Sequence, residues 1–481
     1  MNIERIKIKI NGKEISCRLG QTIFTVAEKN NIFIPTLCHH EDFEHKANCR
    51  VCSVEIVGRK NLAMACATKA VDGMEIRTDS ERVKRSRNLN IELIFAEHIE
   101  RCATCIWRVN CKLLELADRY KILLTTFKDR KGGRQNYKFG KSVELDGTQC
   151  IDCRNCIDAC SKLQKINYLE VCNKGIDQEI FPTNDKSKAC IMCGQCAVHC
   201  PVGAAQEQSS WEGVEKDLKS NKEMIVILTR TSLVGIVEEF KMKGAKKSYG
   251  QIISALKKLG FKYVFDDSEG IVEATEFLAK ILKEKDGGVP IFSASCPAWL
   301  NYAKFYHPEI LNNLSSVPSA RVLTADIIKE KIPGATIVLI SQCTAVKEFM
   351  PGKSISYALT TREAVWLLKK NRINPVEFDR TEYDKIFENS LVLNMSEHEY
   401  LFARLKEIGI GDKLKIAKLD GIGNIQDILS KFNEYDYLEI FACPGGCLGG
   451  GGGPIPTSKK IISRRRRDFG IYNKSLQKNQ K

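Results

Sequence analysis

The chain has 481 residues, 43% of them hydrophobic, with a formal net charge of +15 and 21 cysteines. That length accommodates three or four domains, and no apolar run approaches the ~18 residues that a bilayer span needs. Residues 1–10 largely alternate charged and apolar side chains like a strand and hold no signal-peptide core. The expected location is therefore cytoplasmic, which makes a disulfide scaffold a poor account of the cysteines; their spacing points to metal.

Residues 1–80 open with two strand patterns, Ile6-Lys-Ile-Lys-Ile-Asn-Gly12 and Lys13-Glu-Ile-Ser-Cys17, then a helix-like stretch over 22–30. Cys38, Cys49, Cys52 and Cys66 follow as C-x10-C-x2-C-x13-C. A long loop with three ligands and a distant fourth is how plant-type ferredoxins hold a [2Fe–2S] cluster. Residues 81–125 begin with a charged helical stretch behind Ser80 as its expected cap. They then place His98, Cys102, Cys105 and Cys111 as H-x3-C-x2-C-x5-C. One histidine and three cysteines suit zinc as well as an iron–sulfur cluster, and spacing leaves both open.

Residues 140–208 hold two repeats of C-x2-C-x2-C-x3-C, at Cys150, Cys153, Cys156, Cys160 and at Cys190, Cys193, Cys196, Cys200. In this bacterial ferredoxin signature the fourth cysteine of each repeat serves the other cluster. One expected set is Cys150, Cys153, Cys156 and Cys200; the other is Cys190, Cys193, Cys196 and Cys160. Ser161 stands where a proline is usual. Cys17 and Cys172 fall outside every pattern and read as ordinary thiols.

From 209 to 481 strands and helices alternate: a strand over 224–229, a helix over 252–260 with a glycine stop, a strand over 261–265 and a helix over 271–285. The pattern predicts an α/β domain with mostly parallel strands. Three apolar runs end in cysteine, at Cys296, Cys343 and Cys443, and the last continues Cys443-Pro-Gly-Gly-Cys447 into a glycine run ending at Pro454. Ligands bind at that edge of open parallel sheets. Four thiolates there suggest an iron–sulfur cluster, and the glycine suggests backbone approaching something bulky.

These three segments, in this order and with residues 300–316 between the first two, resemble the signature motifs of the iron-only ([FeFe]) hydrogenases. The N-terminal part resembles the accessory-cluster domains of the larger members and of the large hydrophilic subunit of respiratory complex I. The resemblance implies an α+β multidomain fold: a β-grasp [2Fe–2S] domain (1–80), a His-ligated [4Fe–4S] domain (81–125), a two-cluster ferredoxin domain (140–208) and an H-cluster domain (209–481). It favours iron–sulfur over zinc at His98. It implies one [2Fe–2S] cluster, three accessory [4Fe–4S] clusters and an H-cluster on Cys296, Cys343, Cys443 and Cys447. There Cys447 is shared between a cubane and a diiron unit carrying CO, cyanide and a dithiolate. The implied activity interconverts H2 with protons and electrons, passing electrons to ferredoxin or a flavin-containing NAD(P)-linked subunit. Dedicated maturation proteins are implied as further partners.

The chain departs from the family pattern around the site. Glu273, Glu276 and Ser315 match the family's proton relay, but its final position is Ser295 instead of cysteine. An alkyl hydroxyl ionises far less readily than a thiol, which titrates near ~8.5, so turnover is expected to be slow or biased. The motif lysine is matched by Val346, and Lys347 is rotated from it by about 100° on a helix. Ser341 and Phe441 match two methionines, and Thr229 and Arg230 match an alanine–proline pair. Arg230 is expected to replace the lost lysine charge, against the alternative of a strand-end surface residue. These changes resemble those of atypical, sensory-type members. A non-catalytic H2 or redox sensor, and an electron-transfer subunit of a complex I-like assembly, stay open as alternatives, although no sensory output module is visible. Bound clusters with their thiolates carry negative charge that offsets much of the +15. The run Arg464-Arg-Arg-Arg467 reads as a solvated face, and nucleic acid is not an expected partner.

Overall fold

The computed structural model describes all residues except 1–3, 100, 101, 104, 221, 244, 285–289, 350–353, 388–394 and 478–481. Alternation in Arg5–Ile10 buries Ile6, Ile8 and Ile10 and leaves the charged residues outside. This strand pairs antiparallel with Lys13–Arg18 through Asn11 and Gly12, both at positive φ. It lies within a five-stranded mixed sheet completed by Glu75–Arg77, Ser53–Ile56 and Ala63–Met64. The helix Ile23–Lys29 starts at Thr22, whose hydroxyl accepts from the Thr25 amide at 3.2 Å. Ser80 makes no side-chain cap on the helix Glu81–Ala96; its hydroxyl donates to Glu55 instead. Buried Arg87 ties that helix to the sheet through the carbonyls of Val51, Ser53 and Thr78 at 3.3, 3.2 and 3.1 Å.

The segment holding the paired cysteine repeats is built on the antiparallel strands Asn136–Phe139, Val143–Asp146 and Ala205–Glu207, with a separate hairpin, Leu169–Cys172 and Glu179–Pro182. Each repeat enters a short helix, Asn155–Asp158 or Gln195–Val198, through a left-handed residue, Arg154 or Gly194.

Two parallel sheets organise the C-terminal half. One runs Tyr263–Phe265, Met224–Leu228, Thr336–Ser341, Tyr357–Thr360; the other runs Ile291–Phe292, Tyr437–Phe441, Ile416–Asp420. Every pairing in both is parallel. Met224–Leu228 and Tyr437–Phe441 are buried at every position, as strands covered on both faces are. The helix Ser268–Glu284 begins earlier than its apolar period suggests, and Lys285 lies outside the described residues. It packs against Ala320–Lys331 so closely that a Cβ on Gly270 would meet the Ala320 carbonyl oxygen at 1.9 Å. The helix expected over 252–260 extends over Ala245–Leu259 because Tyr249 is buried along with Ile252, Ile253 and Leu256.

The arginine run lies on the closing helix Lys459–Gln477, where Arg464, Arg466 and Arg467 are exposed as expected of a solvated face and Arg465 alone departs from it. Arg465 is fully buried, pairs with Glu238 at 2.7 Å and donates to the carbonyls of Leu448 and Pro454 at 3.2 and 2.9 Å. Arg464 also reaches Glu238, and Arg466 reaches Asp420. Among the described residues, no helix is long and apolar enough to cross a membrane.

Candidate metal centre

Cys343 lies just beyond Thr336–Ser341 on one parallel sheet, and Cys443 just beyond Tyr437–Phe441 on the other. Cys296 follows Ile291–Phe292 and caps the helix Pro297–Tyr306. The carboxyl edges of two sheets thus deliver three cysteines to one place, and the loop after Cys443 returns Cys447 to it. Burial, then the charges of Cys296 and Cys447, push the Cys343 thiol up to about 12. Cys443 is raised by burial and then by a group that includes Cys343, Cys296 and Cys447. Four thiols this close, three of them buried, cannot all ionise without a compensating cation, which is the donor chemistry of an iron–sulfur cubane. The Ala442 amide points at the Cys296 sulfur at 3.5 Å, a contact that favours its thiolate.

The glycine run has a different use from the one expected. A Cβ on Gly450 would lie 2.2 Å from the Gln342 carbonyl oxygen, and one on Gly451 would lie 2.4 Å from that of Cys193. These residues are bare so that the loop can press on the protein's own backbone. Gly445 and Gly446, both at positive φ, do face the open space beside Cys447. That space is a cavity of about 500 Å³, which also admits Arg230, Asp267, Arg321, Glu397, Lys418 and Phe441. The lining is mixed in charge, with Arg230, Arg321, Lys418 and Arg466 beside Asp267, Glu397, Glu399, Asp420 and Glu439. The thiol, the two glycines and the Arg321 guanidinium next to it are what fit an anionic group attached to Cys447, such as the diiron unit that the motifs imply.

Arg230 is buried at the start of the helix Arg230–Glu239, not on the surface; its guanidinium is 3.8 Å from Asp267 and donates to the Met395 carbonyl. The cation nearest the thiol is one the sequence reading missed. Arg321 places Nη2 4.0 Å from the Cys447 sulfur and Nη1 3.5 Å from the Ser295 carbonyl. Burial opposes its charge, but Cys447, Asp267 and Glu397 outweigh that and hold it firmly protonated. Val346 is fully buried, and Lys347 turns to Glu363 at 2.9 Å and to Ser210 at 2.7 Å. Ser341 accepts from the Cys343 amide at 3.3 Å, and Thr229 donates to the Ile340 carbonyl at 3.0 Å.

The relay that the family resemblance implies is not gathered into one cavity. Ser295 and Ser315 line one small cavity, but Ala274, Thr275 and Leu278 are what the helix Ser268–Glu284 presents to it. Glu276 is exposed and pairs with Arg404 at 2.8 Å. Glu273 is raised by burial and then by Glu330 and Asp326, away from Ser295. The Ser295 hydroxyl instead donates to Glu397 at 3.1 Å. Glu397 opens the helix Glu397–Glu407, whose capping box, Ser396 with Glu399, is visible in the sequence. Glu439 was visible too, as the one charge inside the buried run Tyr437–Phe441.

The other cysteine sets are also gathered. Cys38, Cys49, Cys52 and Cys66 are all buried, with Cys52 and Cys66 sulfurs 3.4 Å apart and the Cys38 side chain in hydrogen-bond contact with those of Cys49 and Cys66. Cys150, Cys153, Cys156 and Cys200 line one apolar cavity. Cys190, Cys193 and Cys160 all raise Cys196, after burial. His98, Cys102, Cys105 and Cys111 line a cavity of about 230 Å³. The buried Nε2 of His98 has no hydrogen-bond partner among the described residues. Burial lowers that imidazole's pKa, keeping it in the neutral form a metal requires. Among the described residues, no three His, Cys, Asp or Glu side chains close around a single ion-sized point. The repeat segment meets the four-cysteine centre directly: the Cys443 thiol is 3.9 Å from the Cys193 carbonyl, and Gln195 donates to the Gly449 carbonyl at 2.8 Å.

Residues 222–395 and 392–451 match the family described as iron only hydrogenase large subunit, C-terminal domain. Residues 4–81 match the 2Fe-2S iron-sulfur cluster binding domain. The chain is 29% identical to an NADP-reducing hydrogenase subunit of Solidesulfovibrio fructosivorans, over 96% of this chain and 91% of that one. It is 29% identical to iron hydrogenase 1 of Clostridium pasteurianum, over 97% and 92% respectively. A subunit of the NADH-quinone oxidoreductase of Rhizobium meliloti is 30% identical over 41% of this chain and 24% of its own length.

Proposed function

Because residues 222–451 belong to the iron-only hydrogenase large-subunit family, we propose that the chain interconverts H2 with protons and electrons. The observation that carries this reading is the convergence of Cys296, Cys343, Cys443 and Cys447 beside a cavity of about 500 Å³ in which Arg321 approaches the Cys447 sulfur. In this reading the four cysteines hold an H-cluster. When bound, its diiron unit supplies the metal at which H2 is split. Arg321, and with it Arg230, would supply positive charge beside that unit in place of the lysine that Val346 replaces.

The remaining cysteine sets hold one [2Fe–2S] and three [4Fe–4S] clusters, with His98 as the single imidazole ligand. The closeness of Cys193 to Cys443 makes the repeat segment the electron entrance to the centre. The domains at 1–80 and 81–125 extend the wire toward a partner. Likeness to an NADP-reducing hydrogenase subunit and to an NADH-quinone oxidoreductase subunit favours a flavin-containing, NAD(P)-linked partner over free ferredoxin. Ser295 in place of a thiol makes turnover slow.

The test is anaerobic maturation followed by infrared spectroscopy and iron counting. The reading expects terminal CO and cyanide bands, together with iron for four accessory clusters. Iron in the accessory clusters alone, with no such bands, would make the chain an electron-transfer protein.

A further inference from the structure

We propose that Glu397 and Glu439 form the proton route to the centre, in place of Glu273 and Glu276. The proposal rests on the hydrogenase reading above, because a proton route has a purpose only where protons are consumed or released.

Ser295 adjoins Cys296, and its hydroxyl donates to Glu397 Oε1 at 3.1 Å. Glu397 lies between two spaces, lining both the large cavity beside Cys447 and the small one around Ser295 and Ser315. The small cavity measures about 20 Å³, room for one water. Glu439 lines both spaces as well. Beyond Glu439 lie His398, with Nδ1 at 3.1 Å, and Lys418, with Nζ at 3.7 Å; both side chains are about one-third exposed (27% and 32%). The order Ser295, Glu397, Glu439, His398 thus runs from the centre to solvent. Glu273 and Glu276 line neither cavity.

The chemistry is proton transfer with no change in electron count. As the Ser295 O–H bond breaks, a Glu397 O–H bond forms, and the serine oxygen would take as its replacement the proton released at the four-cysteine centre when H2 is oxidised; H2 evolution runs the same transfers in reverse. Glu397 then releases its proton to Glu439, directly or across one water, and Glu439 to His398. The groups facing Glu397 are Glu439, Arg321, Asp267 and Ser295. Burial and then Glu439 raise it to about 7, while Arg321 and the Ser295 hydrogen bond pull it down. A carboxyl near neutrality both accepts and releases protons at physiological pH.

The test uses the full chain with its accessory clusters, before and after the diiron unit is installed. In the chain lacking that unit, the infrared difference between wild type and Glu397→Gln should show one carboxyl C=O stretch titrating near pH 7. Ser295→Ala, which removes a bond that favours the carboxylate, should move that midpoint upward. In the loaded protein, Glu397→Gln and Glu439→Gln should each lower turnover about a hundredfold, with CO and cyanide bands intact and a smaller loss in Glu276→Gln. Bands intact with turnover unchanged in Glu397→Gln, or a larger loss in Glu276→Gln, would overturn the route alone. Absence of the bands from wild type would overturn the hydrogenase reading.

Discussion

Ser295 and Glu397, separated by 102 residues in the chain, are joined by a 3.1 Å hydrogen bond beside the four-cysteine centre. One comes from the loop before Cys296 and the other from the first turn of a helix capped by Ser396. Their contact is the first link of the proton route proposed above.

Restoring a thiol at the first position of that route should raise turnover. Ser295→Cys replaces an alcohol with a group that titrates near ~8.5, still within reach of Glu397. The expected gain in H2 evolution is at least about tenfold, within the ordinary range of acid–base contributions. It is read by gas chromatography at fixed cluster content. An unchanged rate would move the limitation to Val346, Ser341 and Phe441.

The cation at Cys447 should be felt electronically. Arg321→Gln removes the charge whose Nη2 lies 4.0 Å from that sulfur, and the cyanide bands of the loaded protein should shift. Arg230→Ala should shift them less, because Arg230 is committed to Asp267 and the Met395 carbonyl. Unchanged bands in both variants would remove these arginines from the cavity's chemistry.

Arg465 should matter for stability. Arg465→Met leaves the carbonyls of Leu448 and Pro454 without their donor and Glu238 with only the half-exposed Arg464, and each buried acceptor left unpaired costs about 1–3 kcal/mol. Arg464 is half exposed, so Arg464→Ala should cost no more than about 1 kcal/mol. Denaturant unfolding under anaerobic conditions compares the two, and similar costs would contradict the buried clamp.

The cysteine framework was legible because a cluster fixes how many residues separate its ligands, and that constraint is written along the chain. Parallel strands ending at Cys343 and Cys443 were legible for a similar reason: a strand covered on both faces reads as an unbroken apolar run. The proton route was not. Register with the family motif, not helical spacing, promotes Glu273 and Glu276, but which face they occupy depends on how Gly270 seats against Ala320. That fit turns Ala274 and Leu278 inward. Arg465 was misread because residue type alone cannot reveal that Leu448 and Pro454 fold back over the closing helix. The glycine run reads as close approach to a bound group, whereas Gly450 and Gly451 press on the Gln342 and Cys193 backbone, a contact that residue type alone does not reveal.

That close approach gives its own prediction. Gly451→Ala places a methyl 2.4 Å from the Cys193 carbonyl oxygen, so the loop must lift from the repeat segment. Reduction of the four-cysteine centre by electrons entering at the accessory clusters should slow. Cluster content, counted by iron analysis, should stay the same. Freeze-quench paramagnetic resonance reads the rate, and an unchanged rate would place the electron entrance elsewhere.

The most direct measurement is an infrared spectrum of the anaerobically matured protein under argon and then under H2. A working hydrogenase centre predicts terminal CO and cyanide bands that shift when H2 is admitted. A protein with its accessory clusters in place and no such bands, or with bands indifferent to H2, would contradict it.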